Sequence, residues 1–159
     1  MPLAAPMQDL LLPLHSLLRW VALLDVAAAA ILCAVALRSL PEWRPVHKVA
    51  ALVGVIAMDL QLVIGAALWL RSPLVQVARA NMGAAMKEPV LRFYAVEHAA
   101  MMVLAVIAVH VGYAMAKRAA DGAKAHKAVA VGYGLAVVLL LAGIPWPMRA
   151  GIGRAWLAF

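Results

Sequence analysis

Four long apolar runs, separated by polar connectors, set the pattern of this chain. They cover residues 10–37, 49–70, 90–115 and 128–144. A helix crossing a bilayer needs roughly 20 mostly apolar residues, with about 17 as the lower limit. The pattern therefore predicts an all-α integral membrane fold: a single four-helix transmembrane domain, up-down-up-down, with both termini on one side. Connector 38–47 is polar and carries two prolines, and connector 117–127 is short and basic. Connector 71–89 is longer, and its 74–86 stretch can form a short interfacial helix. Pro145-Trp146-Pro147 ends the fourth helix and places Trp146 for an interfacial aromatic belt.

Composition strengthens the membrane assignment. The 159 residues are 67% hydrophobic and 13% charged, against about half and a quarter in a soluble domain. So small a soluble core could not hide this excess, so lipid must solvate much of it. The first apolar run is too long for a signal peptide and no charged segment precedes it. Cys33, the one cysteine, sits inside an apolar run as a small core residue.

The net charge of +7 would raise nucleic acid in a soluble protein. Here the basic residues cluster between apolar runs, where they anchor helix ends at anionic headgroups and set topology. No nucleic-acid partner is expected. With the N-terminal side called side A, side B receives Arg38, Arg44, Lys48, Lys117, Arg118, Lys124 and Lys127 in its two shorter connectors. Side A receives Arg71, Arg79, Lys87, Arg92, Arg149 and Arg154. The denser charge makes side B the cytoplasmic side, so both termini are expected outside. His47-Lys48 and His126-Lys127 open helices two and four, and His15 and His98 lie early in helices one and three. The chain thus reads as two helical hairpins in tandem.

The spans carry a heavy polar load: His15, Arg19, Asp25, Asp59, Gln61, Glu97, His98 and His110. Such groups are costly in lipid and face the bundle interior. One reading is interhelical glue, with Arg19 paired to Glu97. The other starts from depth. His15 and His98 fall within about one helical turn of each other in depth, both toward side A, on helices that face each other diagonally. Two neutral imidazoles so placed can hold a haem iron from both faces, between apolar walls. Ser16, Gln61 or a backbone carbonyl would orient the ligands. Arg92, Arg71 and Arg149 lie on the side where the haem propionates would emerge.

A second haem toward side B would draw on His47, His110 and His126. His110 stands 12 residues after His98, a rotation of about 120°, so one helix face does not present both. His47 and His126 also suit solvated helix starts. Asp25 and Asp59 fall near mid-membrane, where they could relay protons to or from a quinone, share one proton, or pair with Arg19. Met58, Met82, Met86, Met101, Met102 and Met115 invite copper but form no clustered motif, and methionine is ordinary filler in apolar helices.

Several segments resemble a family of small bacterial four-helix membrane proteins labelled cytochrome b. They are Leu14-His15-Ser16 with Arg19-Trp20, Leu60-Gln61-Leu62 with Gly65, the run from Leu91 through Val96-Glu97-His98, and Gly143-Ile144-Pro145-Trp146-Pro147. The resemblance spans all four helices. It implies b-type haem and electron transfer, with His15 and His98 as the counterparts of family histidines. Asp59 stands where the family often has a histidine, and His110 has no family counterpart. The expectation is a bacterial inner-membrane electron carrier, not a stand-alone enzyme. It would hold one haem b, or two, and exchange electrons with quinone or a redox partner protein, as a homodimer or part of a larger membrane complex. The contrasting expectation is a non-catalytic membrane subunit or small transporter whose polar core binds a proton, metal or small ligand.

Overall fold

The computed structural model describes residues 5–39 and 42–157, with side chains from Leu10 onward. The fold is all-α. Its four long helices are α1 (Ala5–Ser39), α2 (Pro45–Arg71), α5 (Pro89–Lys117) and α6 (Gly122–Gly143). Two short helices, α3 (Pro73–Ala80) and α4 (Met82–Ala85), fill the connector where one interfacial helix was expected over 74–86. The second, third and fourth long helices start before their apolar runs because proline or a capping aspartate opens them. Proline opens α2, α3 and α5, where its fixed φ suits the first turn and its missing N–H costs nothing. Asp121 caps α6, its Oδ1 accepting the Lys124 amide at 2.8 Å. That amide also holds the Asp121 carboxyl below the usual carboxylate range.

The helices alternate in direction around a ring in the order α1, α2, α5, α6. The α5–α6 contact is the most extensive and the α2–α5 contact the least. Glycine explains the first. A Cβ built on Gly132 would lie 2.8 Å from the Gly112 Cα and 2.7 Å from the Ala108 carbonyl oxygen, so the two backbones approach as only glycine permits. In the side B half, Tyr133 crosses from α6 to α2 and donates its hydroxyl to the Ala51 carbonyl. Its ring lies over Gly54, where a Cβ would meet it at 2.8 Å.

The packing has small residues inside and large ones outside. Ala22, Ala29, Ala51, Ala105 and Ala136 are buried, whereas Ile31, Val63, Val131 and Val138 are more than 60% exposed. In water such a shell would aggregate; in a bilayer it is solvated by lipid. All four long helices are long and apolar enough to cross a membrane.

After α6 the chain turns back over the side A end of the bundle. Trp146 and Trp156 pack on Trp20, with ring centroids 6.0 and 5.9 Å away. The Trp156 carbonyl accepts the Trp20 indole N–H at 3.0 Å. This segment closes the end of the bundle that holds the site.

Candidate functional site

Tyr133 occupies the side B half of the bundle, and the candidate site lies in the side A half. A cavity of about 480 Å³ remains there, inside the range of roughly 300–1,000 Å³ usual for cofactor and small-molecule sites. Its walls are overwhelmingly apolar. His15, Arg19 and Ala22 come from α1, Gln61 and Gly65 from α2, and His98 and Met102 from α5. Leu140 and Ile144 close the α6 side, Val75 of α3 covers it, and Arg154 reaches it from the C-terminal segment.

His98 is fixed by its own helix and by α6. One π-helical turn, Phe93–Glu97, immediately precedes it and resets the facing of the residues that follow. The His98 Nδ1–H donates to the Gly143 carbonyl at 2.8 Å. That bond fixes the neutral tautomer and leaves the lone pair on Nε2. A backbone carbonyl thus fills the orienting role for which Ser16 and Gln61 were also considered.

His15 is placed differently. Its Cε1 edge lies over Gly65, where a Cβ would stand 3.0 Å away. Gln61 donates from Nε2 to the His15 carbonyl oxygen at 3.0 Å, which fixes the orientation of the amide. The same amide nitrogen faces His15 Nε2 at 3.4 Å. Three buried polar atoms around the cavity have no partner among the described residues: His15 Nδ1, Gln61 Oε1 and Arg19 Nε. Buried polar groups are normally satisfied, so these three mark an unpaired polar load in the walls of the side A half.

The residues are compatible with a b-type haem. Imidazoles from two diagonal helices line one apolar chamber, His98 with Nε2 free and His15 with Nε2 beside the Gln61 amide. Among the described residues no group of three or more His, Cys, Asp or Glu side chains gathers to hold a bare metal ion.

The other sequence candidates separate. Glu97 does not pair with Arg19: it binds Arg92 at 2.6 Å, outside the cavity, because the π turn carries it toward the start of its own helix. Arg92 also donates to the Met86 carbonyl and so ties α5 to its connector. Arg71 donates to the Ala67 carbonyl, and Arg149 lies over the Phe93 ring, its guanidinium carbon 4.5 Å from the centroid. None of these three arginines lines the cavity. Arg154 does, and sequence reasoning missed it, because an irregular segment after two prolines has no periodicity from which to read a facing.

Asp25 and Asp59 do not share a proton with each other. Asp25 Oδ2 is buried beside Gly54, and Asp59 pairs with His110 at 3.4 Å. The Asp59–His110 pair is about half exposed on the outer face between α2 and α5. The second histidine group therefore divides. His110 stands apart, while the rings of His47 and His126 touch edge to face, with centroids 4.4 Å apart. An iron held between two imidazoles at about 2 Å from each nitrogen would push the centroids well beyond that. No macrocycle fits between these two rings. His126 instead donates Nε2–H to the Glu42 carbonyl at 3.1 Å, and Trp43 packs against both rings. Both histidines are buried, not solvated helix-start residues as one sequence reading had them.

No family model, curated protein or solved structure matches this chain.

Proposed function

We propose that this multi-pass membrane protein is a b-type cytochrome holding one haem between His15 and His98. The carrying observation is that these imidazoles, from diagonal helices, line one apolar cavity in which the Gly143 carbonyl leaves His98 Nε2 free. The resemblance of the segments around His15 and His98 to small bacterial cytochromes b supports the same reading. A bound haem would supply one-electron redox chemistry. The chain's own contributions are ordinary protein chemistry. The Gly143 carbonyl makes His98 a more basic ligand and holds its ring in one orientation. The apolar walls and α3 limit the contact of the site with water. Quinone or a partner protein would exchange electrons with it in a bacterial inner membrane, with both termini outside.

The test is an optical spectrum of the detergent-purified protein, oxidised and then reduced by dithionite. A Soret band with sharp reduced α and β bands is expected, lost in His15→Ala and His98→Ala. A wild type that stays colourless when expressed with added haem overturns the reading. That result would favour a non-catalytic membrane subunit or small transporter with a polar ligand or proton in the cavity. The unpartnered atoms of His15, Gln61 and Arg19 are the observation on its side.

A further inference from the structure

Two guanidinium groups line the cavity, and neither has a carboxylate within ion-pair distance among the described residues. Arg19 is half-buried beside the apolar chamber, where an unpaired cation is costly, whereas Arg154 is exposed at the cavity's edge. Arg19 and Arg154 are also held in place. Arg19 stacks on Trp20, its guanidinium carbon 5.3 Å from the ring centroid, and donates one terminal N–H to the Trp156 carbonyl at 2.5 Å. Its Nε is buried without a partner. Arg154 stacks on Tyr94 at 5.2 Å and donates from Nε to the Tyr94 hydroxyl at 3.0 Å. The Tyr94 hydroxyl in turn donates to the Ile152 carbonyl at 2.5 Å, and the Arg154 amide donates to the Pro145 carbonyl at 3.0 Å. Both cations thus have one face covered by an aromatic ring and an edge of N–H donors left over. The same C-terminal segment positions both of them, one through Trp156 and one through its own backbone.

We infer that Arg19 and Arg154 form a carboxylate-binding pair at the cavity, assembled by the C-terminal segment, for an acid group on an apolar body. A planar guanidinium fork matches a carboxylate, and charge-assisted bonds are the stronger ones. Resting on the haem reading, the acid groups are the propionates, and this pair takes the role that sequence reasoning gave to Arg71, Arg92 and Arg149. A fatty acid from the bilayer carries the same chemistry.

The experiment uses the full-length protein made in cells unable to synthesise haem and titrated in detergent with haem b and with its dimethyl ester. The Soret band reports binding. The wild type is expected to favour the free acid over the ester about 100-fold, roughly tenfold for each charge-assisted contact. Arg19→Gln and Arg154→Gln should each remove about tenfold of that preference. Arg154→Lys keeps the charge but loses the fork, so it should keep an acid preference between those of the wild type and Arg154→Gln, an ordering a fold defect would not produce. Binding of acid and ester with equal affinity by the wild type overturns the pair while leaving the haem reading intact. If neither porphyrin binds, the haem reading fails, and the pair is tested with oleate against methyl oleate. Preference for oleate that is lost in both glutamine variants supports the pair with a lipid source; no preference overturns it.

Discussion

His98 Nδ1 donates to the Gly143 carbonyl at 2.8 Å, joining the side A ends of α5 and α6. Glycine at position 143 lets the helices approach closely where that bond forms. A Cβ there would lie 3.1 Å from the Met101 Cβ and 2.5 Å from the Met102 Cε. The tip of Met102 can swing away, but the Met101 Cβ is fixed to its helix. Gly143→Ala therefore has to push the end of α6 outward and stretch the bond to His98. The expected loss is about 1–3 kcal/mol in thermal unfolding in detergent. Haem, if bound, should show a changed reduction potential, because the bond tunes the ligand. An unchanged melting temperature and potential would mean the carbonyl does not orient this ring.

The same mixture of chain-wide pattern and local geometry decides what could be read from the sequence. Four spans, their alternating directions and the side A placement of His15 and His98 follow from hydrophobic runs and the helical rise, so they were legible. The short helices at Pro73 and Met82 were half legible, as one segment and not two. Which arginine reaches the cavity was not. Arg92 turns away because of a π turn that no periodicity announces, and Arg154 returns through a segment without regular structure. The pairing of Asp59 with His110 likewise depends on how α2 and α5 face each other, which no spacing within one helix encodes.

Two glycines on one helix give opposite expectations. At Gly132 a Cβ would meet backbone atoms of α5 at 2.7 and 2.8 Å, and backbone cannot swing aside. Gly132→Ala should force α5 and α6 apart and cost about 1–3 kcal/mol. At Gly134 a Cβ would meet nothing within 4 Å. Gly134→Ala should gain about 0.5–1 kcal/mol, the ordinary helix preference for alanine. Paired unfolding curves in one detergent check both signs, and matching shifts would refute the close crossing.

Asp59 and His110 present a different case, because they are about half exposed and do not line the cavity. The His110 Nδ1–H is committed to the Val106 carbonyl at 3.0 Å, so the contact with Asp59 needs one further proton on either Nε2 or the carboxyl. Polar pairs between helices in a membrane couple by about 0.6 kcal/mol on average and rarely beyond roughly 1.7 kcal/mol. A double-mutant cycle with Asp59→Asn and His110→Ala should return a coupling in that range. The Soret band should keep its position and intensity in both variants. A band lost on replacing His110 would instead make it a ligand.

His126 separates one haem from two. It is fully buried, holds the Glu42 carbonyl at 3.1 Å, and touches the His47 ring and the Trp43 ring. Its replacement by alanine removes a hydrogen bond and leaves a void beside the Trp43 and His47 rings. The expected cost is about 2–4 kcal/mol, combining the bond and the cavity. If His126 serves packing alone, the variant unfolds at lower temperature but keeps the wild-type ratio of haem to protein. If a second haem sat toward side B, that ratio would fall by half while the variant kept the spectrum of the His15–His98 site. A pyridine haemochrome assay beside a protein assay measures the ratio directly. Contact between the His47 and His126 rings leaves no plane for a macrocycle, so the ratio is expected to stay where it is, and only the melting temperature to move.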